Sequence, residues 1–421
     1  MNKARNNKGL KALSCRSTDA EGLEPVKGRR WFFVFPLCRA QKFLFFPAMK
    51  SVFAVVVLCL LATSVFAQVD IEHRRTVTAQ ASLAVFRGDT KFDGFGYFWF
   101  NENNYPWTNT ALRVIFAGVY VDSEFSYYVA GNTNTAIGIG VGGGMLVDSC
   151  LPYRNGRQLS DQAIDGGDVG GHIFINQTIP NPTPLPLNVR GTYSVYKFNY
   201  DMSDSIQNFV CPSDFITQTI QGELRFGGIE PGLLSKRGAE FYVSGDANYR
   251  SGFDAFGPVG GPVLGDKSNY DRILASLGAI LPAGPVTVGA RICGAYGDNI
   301  DELSAWKLGG NLINVEPYSY TLHGYYLREI FSDRFVMSNL ALSIPVHEKH
   351  NIAIHFYGDW ANAHLVPPSS REHNYLGTGA GVSFRGPYKT DVLLSYGYGF
   401  NAERNGTSGG HEVTLGLERE F

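Results

Sequence analysis

Apolar side chains recur at every second position through most of the chain after residue 68. This two-residue period constrains the fold more than any other feature. In "AEFYVSGDANYR" the residues of one face are Phe241, Val243, Ala247 and Tyr249. Segments beginning near residues 286, 352, 376 and 392 repeat the pattern. Such alternation is typical of a β-strand whose two faces meet different surroundings. Amphipathic helix patterns are scarce, so we expect an all-β protein.

The chemistry of the two faces favours a membrane barrel over a soluble sandwich. A soluble sandwich presents many Lys and Glu outward, whereas here the second face mixes Gly and Ser with isolated charges. The chain has 49 Gly, 22 Tyr and 29 Phe, and only 18% charged residues. Transmembrane barrels alternate a lipid face with a lumen face and carry aromatic girdles. Lipid also requires every backbone group to be paired, which closes the barrel. We therefore predict a transmembrane antiparallel β-barrel.

The number of segments predicts about 16 strands. We place their starts near residues 79, 93, 110, 123, 136, 169, 188, 214, 239, 270, 285, 335, 351, 375, 390 and 411. A further segment near 314 would make the number odd, and outer-membrane barrels generally have even numbers. We assign that segment to a long, inward-folded extracellular loop at 296–334.

The connections alternate in length, as they do between the two rims of an outer-membrane barrel. The short turns are "NNYPWTN", "GNTNT", "IPNPTPLP" and "PAGP". The longer polar segments are 149–168, 203–214, 251–269, 296–334 and 361–374. This alternation predicts short turns on the periplasmic rim and long loops on the outer rim.

The N-terminal region resembles a leader that precedes the barrel. "MKSVFAVVVLCLLATSVFAQ" has a Lys after Met49, a short apolar run, and small residues at Val65 and Ala67. This pattern predicts a signal peptide at 49–67, and a single membrane anchor is the alternative. Residues 1–48 carry ten Lys/Arg against three Asp/Glu, and we interpret them as an upstream mis-start or an unstructured segment. We expect a short periplasmic segment at 68–78 and the barrel at 79–421.

Cysteines and charge narrow the functional classes. After leader removal Cys150, Cys211 and Cys293 remain, without the short spacing that a zinc site needs. Cys150 and Cys211 are the better pair for a disulfide, and three free thiols is the alternative. Residues 49–421 carry 26 Lys/Arg and 35 Asp/Glu, so nucleic acid is not an expected partner. We expect no metal and no cofactor.

The last eleven residues, "HEVTLGLEREF", keep the two-residue period to the final aromatic residue. We expect them to form the closing strand and to pair with the first strand near residue 79. The resemblance of the whole pattern to bacterial outer-membrane barrels implies that Phe421 is part of the signal read by their assembly machinery.

Four segments in the last third of the chain form an ordered set of motifs. They are "WKLGG", "LHGYYLREIFSDR", "FYGDWANA" and "HEVTLGLEREF", spread over about 115 residues. Together they resemble the barrel of the bacterial surface antigen superfamily, the BamA/TamA-like outer-membrane assembly and translocation proteins. The resemblance places Leu322, His323, Gly324 and Tyr325 over the Val-Arg-Gly-Phe/Tyr signature at the tip of that family's long loop. It places Tyr357 and Asp359 on the strand that receives this tip.

Two departures from the family pattern matter. His323 stands where the family has an arginine, so the loop lock with Asp359 would lack the fixed fork and permanent charge of a guanidinium. Because an imidazole loses its charge near neutral pH, we expect the lock to weaken as pH rises; Arg328 is an alternative partner. The family's periplasmic POTRA modules have no counterpart between residue 68 and the first strand, so we expect a barrel-only member.

The sequence therefore predicts a non-enzymatic protein of the bacterial outer membrane. The resemblance implies a factor for membrane-protein assembly or polypeptide translocation. Its partners would be outer-membrane lipids, together with unfolded outer-membrane protein clients or a separate periplasmic subunit. The alternative is a passive, porin-like channel for small solutes, with the 296–334 loop as its constriction. A lipid hydrolase is disfavoured because the sequence shows no nucleophile–base pair.

Overall fold

The computed structural model describes residues 73–86, 89–118, 120–129, 134–150, 152–154, 156–201, 208–229, 232–234, 237–312, 319–347, 351–404 and 406–421. The expected signal peptide at 49–67, residues 1–48 and residues 68–72 lie outside this set, so those expectations stay predictions. Among the described residues no helix is long and apolar enough to cross a membrane.

Sixteen long strands form one antiparallel sheet within the described part of the chain. They are β1 (His73–Phe86), β2 (Asp89–Asn103), β3 (Thr110–Ala117), β4 (Tyr120–Tyr128), β5 (Thr135–Cys150), β6 (Ile164–Ile179), β7 (Leu187–Asp201), β8 (Phe215–Gly228), β9 (Gly238–Ser251), β10 (Asn269–Ala283), β11 (Val286–Asp298), β12 (Ile330–His347), β13 (Ile352–Leu365), β14 (Glu372–Arg385), β15 (Thr390–Arg404) and β16 (Thr407–Glu420). Each strand pairs with its neighbours in the chain, and β1 also pairs with β16. The predicted 16-stranded closed barrel is confirmed.

The pairing of β1 with β16, called here the closing seam, joins the two ends of the sheet. Its register runs over ten residue pairs, from Thr76 opposite Glu420 to Val85 opposite His411. Ala79 lies opposite Leu417, as the period of the last strand predicts. The backbone N–H of Phe421 donates to the carbonyl of Arg75 at 2.9 Å, and the Phe421 ring is exposed.

In β1 the polar side chains are buried and the apolar side chains are exposed, which is the reverse of a soluble protein. Thr76, Thr78, Gln80 and Ser82 are at most 5% exposed, whereas Val77 and Leu83 are about 40% exposed. The other strands also carry exposed aliphatic and aromatic side chains on their outer faces, and the inner faces of β10–β15 carry buried apolar residues beside their polar ones. A barrel with a polar interior and an apolar exterior is stable where hydrocarbon surrounds it. The chain is therefore a transmembrane barrel, with β1 beginning and β16 ending at the short-turn rim.

Several boundaries differ from the predictions. β1 begins at His73 rather than near 79, because the outward residues His73 and Arg75 at the rim hide the apolar period. The predicted long segment at 361–374 is wrong: β13 continues to Leu365 and β14 begins at Glu372. Within the predicted loop at 296–334, the two-residue strand Ser319–Tyr320 pairs parallel with Trp306–Leu308. Residues 313–318, which include the segment predicted near 314, lie outside the described residues.

The β3–β4 hairpin is the shortest part of the barrel wall. β3 has 8 residues and β4 has 9, whereas the flanking strands β2 and β5 have 15 and 16. Pairing of β2 with β3 stops at Phe98 opposite Phe116. Among the described residues, no strand pairs with residues 90–95 of β2 on that side. The wall therefore has a notch above the hairpin, towards the long-loop rim.

Candidate functional site: a loop against the inner wall

The connection between β11 and β12, residues 299–329, is the longest of the barrel, and is called here the β11–β12 loop. Its Trp306–Leu308 strand pairs with the first residues of β12. Gly309 and Gly310 then turn the chain with φ of +124° and +79°, a conformation that favours glycine. The backbone N–H of Leu322 donates to the Gly310 carbonyl at 3.1 Å. This turn directs residues 322–325 towards β13–β16.

Residues of the β11–β12 loop share a buried apolar cluster with the inner faces of β10–β15. The loop supplies Trp306, Leu308, Leu322 and Tyr325, and the wall supplies Leu274, Cys293, Ala295, Phe335, Met337, Ala361, Ala363, Tyr375 and Ala402. Leu322 and Tyr325 are fully buried. Each buried side chain of this size contributes about 1.5–3 kcal/mol through removal of apolar surface from water. Packing therefore holds the loop to the wall in addition to its polar contacts.

His323 contacts Asp359, as the resemblance implies. Its backbone N–H donates to Asp359 Oδ2 at 2.8 Å, and its Nδ1 lies 2.5 Å from the same oxygen. The imidazole stacks on the Tyr357 ring at 4.5 Å between centroids. His323 and Asp359 are both under 10% exposed. The backbone contact with Asp359 does not depend on the side chain at position 323, so it remains when the imidazole is replaced.

Gly324 lies against glycines of the wall. A Cβ on Gly399 would lie 2.9 Å from the Gly324 carbonyl oxygen, and one on Gly410 would lie 2.3 Å from it. A Cβ on Gly397 would lie 2.7 Å from the Gly324 nitrogen. Gly324 itself has a φ of +81°. Alternating glycines on the inner faces of β15 and β16 thus form a groove that only a bare backbone can fill.

Tyr325 fastens the tip on its other side. Its hydroxyl donates to the Leu376 carbonyl at 3.2 Å and accepts from the Leu376 N–H at 3.2 Å. The ring meets Tyr375 edge-on at 5.7 Å. Burial raises the pKa of Tyr325 above its ordinary value, so the hydroxyl keeps its proton at physiological pH. This contact is therefore insensitive to pH in the range where a histidine titrates.

Arg328 lies three residues beyond the tip, with a φ of +58°, and its backbone N–H lies 3.5 Å from the Gly309 carbonyl oxygen. The partners that Asp359 shows are His323 and Asn339, whose Nδ2 donates to Asp359 Oδ1 at 2.7 Å. The structure thus brings together Leu322, His323, Gly324, Tyr325, Tyr357 and Asp359. The role of these residues as a lock stays a prediction, as does substitution by Arg328.

Sequence reasoning missed three polar groups that hold the loop. Asn339 of β12 binds both Asp359 and the Thr321 carbonyl. Arg404 at the end of β15 forms a bidentate ion pair with Glu329, with Nη1–Oε1 and Nη2–Oε2 distances of 2.5 and 2.8 Å. Glu412 of β16 accepts from the Asn311 N–H at 3.1 Å. The sequence shows acidic residues at inward positions of the last strand, but it does not indicate which groups they contact.

Charged side chains on the inner faces of β3–β11 also line the lumen. Glu124 of β4 accepts from Arg190 at 2.6 Å and lies 2.9 Å from both Arg113 and His172. Glu240 lies 3.6 Å from Arg225 and from Arg291, whose side chains are 38% and 47% exposed although they face inward. Water therefore reaches this side of the lumen.

The predicted disulfide between Cys150 and Cys211 is only partly covered by the described residues. Cys293 is a buried free thiol within the apolar cluster. The side chain of Cys150 lies outside the described residues, so the Cys150–Cys211 pairing stays a prediction.

Comparison with known proteins finds matches among solved structures. Neither the protein-family models nor the curated protein sequences give a match. CdiB from Acinetobacter baumannii superposes with a TM-score of 0.54 and 11% identity, over 84% of this chain and 61% of that chain. BamA from Haemophilus ducreyi lacking POTRA domains 1–3 has a TM-score of 0.54 and 11% identity, over 82% and 70%. CdiB from Escherichia coli has a TM-score of 0.54 and 12% identity, over 84% and 64%.

At such low identity the likeness shows the fold alone. The chain spans less than two thirds of the length of either CdiB chain. The fold is that of the CdiB and BamA barrels. With its apolar exterior and polar interior, this barrel lies in the bacterial outer membrane, where closed β-barrels of this kind occur. The rim with the longer loops is then the extracellular one.

Proposed function

We propose that this barrel serves the assembly of outer-membrane proteins or the translocation of polypeptides, in the manner of BamA/TamA-type factors. The observation that carries the proposal is the docking of residues 322–325 against the inner faces of β13–β16. This docking fills the side of the lumen that lies next to the closing seam. A pore for freely diffusing solutes has no need of a buried, hydrogen-bonded tip at this place.

The closing seam supplies a physical mechanism. If β1 and β16 separate, each exposes a row of unpaired N–H and C=O groups, and such an edge accepts an incoming strand by β-augmentation. Unfolded outer-membrane proteins present strands with the same two-residue period. The client strand would add to one edge while its apolar side chains meet lipid. Delivery by a separate periplasmic subunit is part of the same proposal.

A passive channel is the second candidate, and the water-accessible charges on the other side of the lumen favour it. Arg225 and Arg291 flank Glu240 without closing tightly on it. Such partly exposed charges are common along conduction paths of porins. In this case the β11–β12 loop would act only as a constriction.

Planar-bilayer conductance separates the two candidates. The purified barrel is compared with a variant lacking residues 319–329 and with a matched variant lacking residues 259–263, an exposed loop tip on the same rim. For an assembly factor we expect a closed or flickering protein, and depletion in its native host that lowers the amounts of other outer-membrane proteins. A steady, large conductance in the intact protein, with unchanged outer-membrane proteins after depletion, would establish the channel instead.

A further inference from the structure

Two acidic side chains stand on the inner face of β16, near the two ends of the closing seam. Glu412 lies opposite Ala84 of β1, and Glu418 lies opposite Thr78. They are six positions apart, which is about 20 Å along a strand. Each carboxylate accepts hydrogen bonds from β1 and from a connecting segment that enters the lumen. We propose that Glu412 and Glu418 are pins that hold the seam shut and couple it to those two segments.

The extracellular pin is Glu412. Its Oε1 accepts from the Ser82 hydroxyl of β1 at 2.6 Å and from the backbone N–H of Asn311 at 3.1 Å. Asn311 belongs to the β11–β12 loop, and its Nδ2 also donates to the Ser395 hydroxyl of β15 at 2.7 Å. Glu412 has no exposed surface. One carboxylate oxygen thus joins β1, β16 and the loop.

The periplasmic pin is Glu418. Its Oε2 accepts from the Thr78 hydroxyl of β1 at 3.1 Å and from the backbone N–H of Leu233 at 3.1 Å. Leu233 belongs to the β8–β9 connection on the opposite side of the barrel, and it is buried. Its side chain packs on Gly416, where a Cβ would lie 2.3 Å from Leu233 Cδ1. Residues 232–234, which belong to a connection between strands of the far wall, therefore contact the inner face of the seam.

The same energetic argument applies to Glu412 and Glu418. Hydrogen bonds to a carboxylate are among the stronger ones in proteins, and a buried donor that loses its acceptor is destabilised further. Separation of β1 from β16 breaks the Ser82 and Thr78 contacts together with ladder bonds. Withdrawal of either segment leaves its pin with one contact fewer. Displacement of Asn311 from Glu412, or of Leu233 from Glu418, therefore weakens the hold of that carboxylate on the seam.

Glu420 provides an internal comparison. It lies on the same strand and the same face, opposite Thr76, and it is exposed at the rim. Substitution of Glu420 therefore changes the charge of β16 as much as the other two substitutions do, but removes no buried bridge.

Backbone hydrogen exchange of the full barrel in lipid nanodiscs, followed by mass spectrometry, tests the pins. The variants are Glu412→Ala, Glu418→Ala, the double variant and Glu420→Ala, each checked for folding by its heat-modifiable gel mobility. We expect exchange in residues 76–85 and 411–420 to rise about tenfold or more in either single variant and further in the double variant. Peptides from β8 should be unchanged, and Glu420→Ala should match the unmodified protein.

Gly416→Ala gives a second, milder route to the same result. The added methyl group displaces Leu233 but leaves Glu418 in place, so exchange should rise at the periplasmic end of the seam alone. Unchanged seam exchange in the double variant, or an equal rise in all strands, would overturn the proposal. Exchange reads the seam itself, so this outcome is independent of whether the barrel assembles other proteins.

Discussion

Replacement of Asp359 by alanine tests the docking of the loop most sharply. Asp359 accepts from the His323 N–H at 2.8 Å and from Asn339 Nδ2 at 2.7 Å, and it lies 2.5 Å from His323 Nδ1. The site is almost fully buried, so water cannot replace the lost acceptor. A buried donor that loses its acceptor is destabilised by about 1–3 kcal/mol, and Asp359→Ala removes the acceptor of both the His323 N–H and Asn339 Nδ2. We expect this loss to destabilise the docked conformation of the loop relative to the released one.

The assay is hydrogen exchange in residues 319–329. Since ~1.4 kcal/mol corresponds to a factor of ten, exchange in the Asp359→Ala variant should rise about a hundredfold or more. Asp254→Ala, at an exposed aspartate of the 252–268 loop, is the matched control. The double variant His323→Ala/Asp359→Ala should show little more exchange in this loop than Asp359→Ala alone, because the two residues act as one unit. A folded Asp359→Ala barrel with unchanged exchange in this loop would refute the reasoning.

Three further outcomes follow from the same geometry. His323→Arg should keep the loop docked, because the backbone N–H at position 323 still donates to Asp359 Oδ2 at 2.8 Å and a guanidinium carries a permanent charge; exchange in residues 319–329 that rises to the level of Asp359→Ala would contradict this. Gly410→Val should release the loop tip, because its Cβ would meet the Gly324 carbonyl oxygen at 2.3 Å; Gly222→Val, at an exposed strand position where a Cβ meets nothing within 4 Å, is the control, and unchanged protease resistance of Gly410→Val would count against the groove. In an alkaline absorbance titration, Tyr325→Phe should remove one late-titrating tyrosine, because burial raises the pKa of Tyr325; loss of an ordinary tyrosine signal instead would contradict its burial.

The number and order of the strands could be predicted because lipid imposes a repeated pattern. Every wall residue faces either hydrocarbon or lumen, so β9 and β16 show the same period although they share no motif. The β1 boundary was missed because His73 and Arg75 occupy outward positions at the rim. Rim positions contact water and headgroups, where the apolar period no longer holds.

The contacts of the lumen could be predicted only where a resemblance supplied them. His323 and Asp359 lie 36 residues apart in sequence, and no periodicity pairs a loop residue with a strand residue. Glu412 and Glu418 look like ordinary alternate polar residues of β16 until their partners are known. Those partners are backbone N–H groups of Asn311 and Leu233, which any residue other than proline carries. The side chains at positions 311 and 233 therefore gave no signal.

Disulfide trapping of the loop tests its docking inside the closed barrel most directly. Asn311→Cys and Ser395→Cys are introduced together, with the native cysteines replaced by serine, because the two native side chains are hydrogen-bonded at 2.7 Å and neither contacts Asp359. In intact outer membranes under mild oxidation, we expect an intramolecular disulfide to form in most molecules, whereas Asn311→Cys with Ser276→Cys on β10 should stay reduced. If the first pair also stays reduced and both thiols react with a reagent added from outside, the loop is not held against the wall.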